Sequence, residues 1–318
     1  METLESGVEL LPALPCPKCK RVLAPSKATR EIASATGFDE CLRKCVACGI
    51  GLSNARTPGA ETTIYRDPVD NVPEELRDGF VEALRASVNE LNRDNKVRKA
   101  AFSTSEDALT WSYFEHLRRT RRLARLGLLP TSREPLLILW GSQVGQPSSL
   151  RSAIPAALAE VSRDLGEEPS KRTEPDVVLD YGRDGIAVIE VKHRSGNEEK
   201  DGSYAGWDRY VGAAADNAFH DPVSMRELGL YELARNWRFG CELRQRFDRP
   251  VVVANLGPVS LFQGRAGRLL EAFETGLKQD AMRRFRRLAW HDVLEMAPPQ
   301  GPLAGHFAQK YPACFAAG

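Results

Sequence analysis

The stretch from Pro175 to Lys192 constrains the fold more than any other part of the chain. Two apolar runs, Asp176-Val177-Val178-Leu179-Asp180 and Ile186-Ala187-Val188-Ile189-Glu190-Val191-Lys192, flank Tyr181-Gly182-Arg183-Asp184-Gly185. Runs rich in β-branched residues and bounded by glycine predict two strands joined by a hairpin turn and paired antiparallel. Side chains alternate along a strand, which puts Glu190 and Lys192 on one face and turns Val191 to the core. Pro175 suits the opening of a strand, where no ladder donor is required. With the turn closed across residues 182–185, Asp176 returns opposite the end of the second strand, beside Glu190 and Lys192.

Two carboxylates converging from neighbouring strands can hold Mg²⁺ or Mn²⁺ with positions left for water and a substrate phosphate. An adjacent lysine stabilises charge that develops during hydrolysis and helps to place the water. The plain alternative is a ladder of opposite charges across a hairpin, worth about 0.2–1 kcal/mol. The upstream Pro-Asp, the apolar strands, the glycine-bounded turn and the charged end of a hydrophobic strand favour the site when taken together. In this motif and its strand-turn-strand setting, the region resembles the PD-(D/E)XK (restriction-endonuclease-like) nuclease superfamily. The resemblance implies an α/β fold, a mixed sheet flanked by helices, over residues 101–318. It implies Asp176, Glu190 and the backbone carbonyl of Val191 as metal ligands and Lys192 as catalytic. A further acid from the first core helix is expected from the same resemblance, Glu106 or, second, Glu115, although a capping acid at that helix start serves without chemistry. Tyr210 stands where members carry a Gln or Tyr on the following helix, and packing is its expected role. The implied activity is Mg²⁺-dependent hydrolysis of DNA by an endonuclease of restriction, repair or anti-phage defence, with protein partners of a multi-component system in view. RNA stays open as a substrate. So does a non-catalytic nucleic-acid-binding or assembly subunit built on a nuclease-like fold.

Five of the seven cysteines lie between Cys16 and Cys48. Cys16-Pro17-Lys18-Cys19 and Cys45-Val46-Ala47-Cys48 are two CxxC pairs, and four thiolates close a tetrahedral Zn²⁺ site. The set Cys16, Cys19, Cys45 and Cys48 resembles a zinc ribbon, and Cys41 either replaces a ligand or stays a buried thiol. A closed four-sulfur site is structural. Lys18, Lys20, Arg21, Lys27, Arg30, Arg43 and Lys44 surround it, which suits either phosphate contacts or docking onto the main domain.

The remaining punctuation predicts a zinc-binding module over residues 1–60, a linker and helix over 61–100, and the main domain over 101–318. Helical spacing covers Pro73 to Asn92, a helix begins at a capping box of Ser103 with Glu106, and further helices are expected at Ile154 to Leu165, Trp207 to Phe219, Ser224 to Phe247 and Leu269 to Arg287. Buried strands are expected at Leu136 to Trp140 and Val251 to Leu256, and an edge strand at Leu288 to Trp290. A net charge of +1 gives no overall positive field, so any nucleic-acid contact must come from local clusters such as Arg118 to Arg125 or Arg283 to Arg287, each equally readable as a solvated face. No Walker loop and no G-x-S-x-G elbow occurs. The start of the chain lacks the pattern of a secretory signal and no run of ~20 apolar residues occurs, which predicts no membrane and a cytoplasmic location.

Overall fold

The computed structural model describes residues 11–27, 32–57, 59–87, 93–145, 151–168, 174–212 and 219–316. Arg30 of the basic group around the cysteines, the end of the helix expected to reach Asn92, and most of residues 212–218 lie outside them. The chain begins with a two-stranded hairpin, β1 (Leu14–Pro15) and β2 (Val22–Leu23), and a three-stranded antiparallel sheet, β3 (Arg43–Cys45), β4 (Ile50–Leu52) and β5 (Thr63–Tyr65). Its buried core is two small clusters, Leu23, Ile50 and Leu52 around Cys16 and Cys45, and Ala35, Phe38, Cys41 and Ile64 beside them. A core of that size does not hold a fold unaided.

Then follow α1 (Phe80–Arg85), α2 (Arg93–Ala100), α3 (Glu106–Arg119), β6 (Leu136–Leu139), β7 (Ser142–Gln143), α4 (Ile154–Asp164), β8 (Val177–Asp180), β9 (Ile186–Val191), α5 (Trp207–Val211), α6 (Pro222–Glu227), α7 (Tyr231–Phe247), β10 (Val251–Gly257), α8 (Gly264–Thr275), α9 (Gln279–Met282), β11 (Phe285–Ala289), α10 (Trp290–Met296) and α11 (Pro302–Lys310). Six strands form one mixed sheet in the order β11-β10-β9-β8-β6-β7. The three strands β9, β10 and β11 run parallel, whereas β8 pairs antiparallel with both β9 and β6. Helices cover both faces. Val177, Leu179, Ala187, Ile189 and Val191 pack with Trp111, Phe114 and Trp290 on one side, while Val178, Ile186 and Val188 pack with Leu158, Trp237 and Leu243 on the other. That two-sided burial explains why the strands read as continuous apolar runs.

The segment 61–100, expected as a linker and helix, is divided between the two units. Its β5 completes the N-terminal sheet, and α1 sits in the main core through Phe80 and Leu84. The expected helix from Pro73 is interrupted by Gly79, at φ +83° with the Trp111 ring packed over it. Ser105, not Ser103, caps α3: its Oγ accepts from Ala108 N at 3.2 Å, while Ser103 N donates to Thr63 O of β5. The expected helix to Arg287 ends at Thr275, and Arg286 and Arg287 belong to edge strand β11, with Trp290 opening α10.

Gly185 ends the turn between β8 and β9 at φ +137°, and a Cβ there would lie 2.6 Å from Pro250 O, the acceptor for Ile186 N. Strain and the lost ladder bond act together. Gly185→Ala is expected to destabilise the protein by about 1–3 kcal/mol or more, measured as the shift of the urea midpoint at unchanged slope.

Candidate active site

The register of the hairpin decides what meets at its open end. Val177 faces Ile189, so Asp176 and Glu190 are the next pair beyond it, on the face that carries Val178 and Val188. Asp176 Oδ2 accepts from Val191 N at 2.9 Å, which fixes the carboxylate across the strand ends. Lys192 follows two residues after Glu190 on the same face. Its Nζ donates to Glu190 Oε1 at 2.8 Å and to Glu232 Oε2 at 2.6 Å. The second Glu190 oxygen accepts from Asn236 Nδ2 at 2.6 Å. Glu232 and Asn236 stand four apart on α7 and therefore reach the same place.

Glu106, at the start of α3, accepts through Oε1 from His193 N at 2.7 Å and from Ser195 Oγ at 2.7 Å. It fixes the backbone that leaves Lys192. Trp290 Nε1 does the same from the other side, donating to Lys192 O at 2.9 Å. Glu115 is elsewhere: it is buried and bound by Arg118 and Arg119 at 2.6 and 2.7 Å. Those arginines sit about 20 Å along α3 from Glu106 and are occupied with Glu115. Arg287 likewise pairs with Glu274. Tyr210 is buried and donates to Glu167 Oε1 at 2.6 Å. His193 packs edge-on against Tyr311 at 5.2 Å.

An open cleft of roughly 820 Å³ has Asp176, Glu190, Lys192 and Glu232 at its base. Lys96, Arg98 and Lys99 of α2 form one wall, with Arg194 and Ser195 beside them. Ala35 and Thr36 of the N-terminal unit line it too, and Arg98 Nη1 donates to Thr36 O at 3.4 Å. Lys96 Nζ lies 3.5 and 3.6 Å from Asp107 and Glu174. Sequence reasoning missed Lys96, Glu232 and Asn236. Their signal is only spatial.

Burial holds the Asp176 carboxyl up at about 6 against the pull of Lys192 and Lys96. Burial and then Asp176 push Glu190 up to about 7, and burial and then Glu190 push Glu232 up to about 8. Burial keeps three neighbouring carboxyls from ionising easily despite the lysines beside them, and a divalent cation bound there would favour their ionised forms. Raised carboxyl values mean the folded form holds protons that the unfolded chain has released. The resulting stabilisation is present below the ordinary carboxylate range and is lost as pH rises through 6 to 8. The metal-free protein is therefore expected to melt lower at pH 8 than at pH 5.5, and Mg²⁺ to raise the melting temperature more at pH 8, as scanning calorimetry in EDTA and in Mg²⁺ would measure. An equal Mg²⁺ effect at both values would remove these carboxyls from the metal site.

The sulfurs of Cys16, Cys19, Cys45 and Cys48 lie within 4.8 Å of one another, a group able to bind a metal such as zinc. Cys19 Sγ is 3.6 Å from Cys45 Sγ. The Arg21 backbone N–H and then Cys48 hold the Cys19 thiol down to about 7, and the same contact with Cys19 pushes the Cys48 thiol up to about 12. Cys41 stands apart. It is buried against Gly51, where a Cβ would meet its Sγ at 2.5 Å, and burial pushes its thiol up to about 11.

Comparison with protein-family models, with curated proteins and with solved structures gave no match. Among the described residues, no helix is long and apolar enough to cross a membrane.

Proposed function

We propose that this protein is a metal-dependent nuclease that hydrolyses phosphodiester bonds of DNA, an endonuclease of restriction-endonuclease-like fold. The observation that carries the reading is the convergence of Asp176, Glu190 and Lys192 at the base of an open cleft walled by lysine and arginine. What supports the PD-(D/E)XK reading is the Pro175-Asp176, Glu190-Val191-Lys192 pattern on an antiparallel hairpin that has a helix before it and a helix and a strand after it.

Asp176 and Glu190, with the Val191 carbonyl, would hold Mg²⁺ or Mn²⁺. Such an ion supplies charge neutralisation at the phosphoryl oxygens and lowers the pKa of a bound water. The residues supply the rest. Lys192 Nζ, held between Glu190 and Glu232, offers a movable cation to the negative charge that grows on the reacting phosphate. Asn236 fixes the Glu190 rotamer, and Glu106 fixes the backbone from His193 to Ser195, so Lys192 is aimed from a rigid strand end. Arg98, Lys99 and Arg194 attract the backbone phosphates, while Lys96 is held by Asp107 and Glu174. The two walls, one from each unit, guide a strand across the carboxylates.

The test is incubation of the purified protein with supercoiled, linear and single-stranded DNA and with RNA, in Mg²⁺ or Mn²⁺ against EDTA. Metal-dependent cutting of DNA supports the reading, and preferential cutting of RNA would transfer it to that polymer. Binding without cutting in every metal would leave a non-catalytic nucleic-acid-binding subunit.

A further inference from the structure

A second cavity, of roughly 360 Å³, lies on the far side of Glu190 and Glu232 and shares both with the cleft. None of the steps above uses it. Its lining is aromatic on one side: the Tyr231 ring centroid is 5.1 Å from that of Tyr204 and 5.3 Å from that of Tyr210, both edge-on, and Tyr204 is 46% exposed. Its polar side contains Arg235, only 3% exposed, whose Nε is held by Glu167 at 3.0 Å. Arg235 Nη2 and Glu174 Oε2 are both buried without a hydrogen-bond partner among the described residues. Both residues line the cavity, and a ligand that offers an acceptor to Arg235 and a donor to Glu174 would satisfy the pair.

Charge narrows the ligand. Six glutamates line the cavity against three basic residues, so a phosphate is repelled from its interior, whereas a neutral ring is not. A flat neutral ring that carries both hydrogen-bond acceptors and N–H donors on its edge is a nucleobase. Aromatic faces and edge hydrogen bonds are how unstacked bases are held.

We propose that this cavity is a nucleobase subsite, which takes the base of a nucleotide next to the scissile bond. The base stacks on Tyr204, Arg235 Nη2 donates to a ring acceptor, and Glu174 Oε2 accepts from a ring N–H. Its own phosphate then lies outside the cavity, in the cleft beyond Glu190 and Glu232, where Lys192 and Arg194 stand and the proposed Mg²⁺ would bind. The substrate is thereby a strand with a base out of its stack, single-stranded or locally opened. The nature of the ligand rests on the nuclease reading, but a base can bind without any cleavage, so the two ideas fail separately.

The experiment is calorimetric titration of the full chain with the four deoxynucleoside 5′-monophosphates and with 2-deoxyribose 5-phosphate, in Mg²⁺, beside Tyr204→Ala and beside the four deoxynucleosides in EDTA. At least one nucleotide should bind tenfold or more tighter than the sugar phosphate. Tyr204→Ala, an exposed position, should weaken that nucleotide about five- to hundredfold and leave Mg²⁺ affinity unchanged. Sugar phosphate binding as tightly as all four nucleotides, or Tyr204→Ala binding like the parent, would overturn the subsite. Deoxynucleoside binding in a protein that cuts nothing would keep the subsite and remove the nuclease.

Discussion

Lys192→Ala is expected to slow the proposed metal-dependent cleavage by about 10²–10³-fold, the size of loss seen when one preorganised group stabilising a transition state is removed. The same change removes the cation that holds Glu190 and Glu232 together in a buried setting, where Lys192 is 5% exposed. Breaking a buried pair by deleting one partner costs about 3–5 kcal/mol, so stability must be separated from chemistry. Lys192→Arg separates them. It keeps the positive charge and much of the stability, but a planar guanidinium is not a compact, mobile ammonium. Urea denaturation should place the arginine variant between the parent and the alanine variant, while its single-turnover rate stays close to that of alanine. An arginine variant that cuts at the parental rate would reduce Lys192 to a counter-charge. The site residues would then be Asp176 and Glu190 alone.

The hairpin was legible because two local rules agree on it: β-branched apolar runs make strands, and Gly182 and Gly185 supply positive φ where the turn needs it. Its register then follows, and with it the meeting of Asp176, Glu190 and Lys192. What the sequence hid sits across long separations or behind a misplaced boundary. The helix expected from Ser224 to Phe247 is broken at Gly229, φ +74°, where Leu230 bridges to Glu199. That break makes Glu232 the second residue of α7 and swings it onto Lys192. A continuous helix gives no reason to single it out. Lys96 is hidden in another way. Nothing in an exposed-looking helix of Arg, Asp, Asn and Lys tells that its Nζ lies 4.8 Å from the Trp140 ring centroid and within reach of Asp107 and Glu174. The basic clusters misled for the reverse reason, since Arg118 and Arg119 look free in sequence and are tied to a buried Glu115 three and four residues before them.

Cys45→Ser is expected to abolish zinc binding and to unfold the N-terminal unit, an effect of about 10 kcal/mol on the scale of structural zinc sites in small domains. The size follows from how little else holds the unit, whose two buried clusters contribute Leu23, Ile50 and Leu52, and Ala35, Phe38 and Ile64, besides cysteine. Metal analysis should give one zinc per chain for the parent and none for the variant, and trypsin should then cut within residues 11–66. Cys41→Ser is the matched control. Its thiol is buried against Gly51 outside the quartet, so it should keep its zinc and lose only packing. Zinc lost from both variants to the same degree would return Cys41 to the ligand set.

The consequence should extend beyond the cysteines, because the unit is joined to the cleft through its backbone. Tyr65 N donates to Ala101 O, Ser103 N donates to Thr63 O, and Ile64 bridges to Phe102, immediately before the capping Ser105 that starts α3. Glu106, the first residue of that helix, holds the turn after Lys192. Loss of zinc therefore removes the Thr36 wall and loosens the anchor of the residue that fixes Lys192. Cys45→Ser should weaken substrate binding and also lower the rate at saturating DNA. A variant whose saturating rate is unchanged would restrict the unit to gripping the substrate, with the strand end held by the main domain alone.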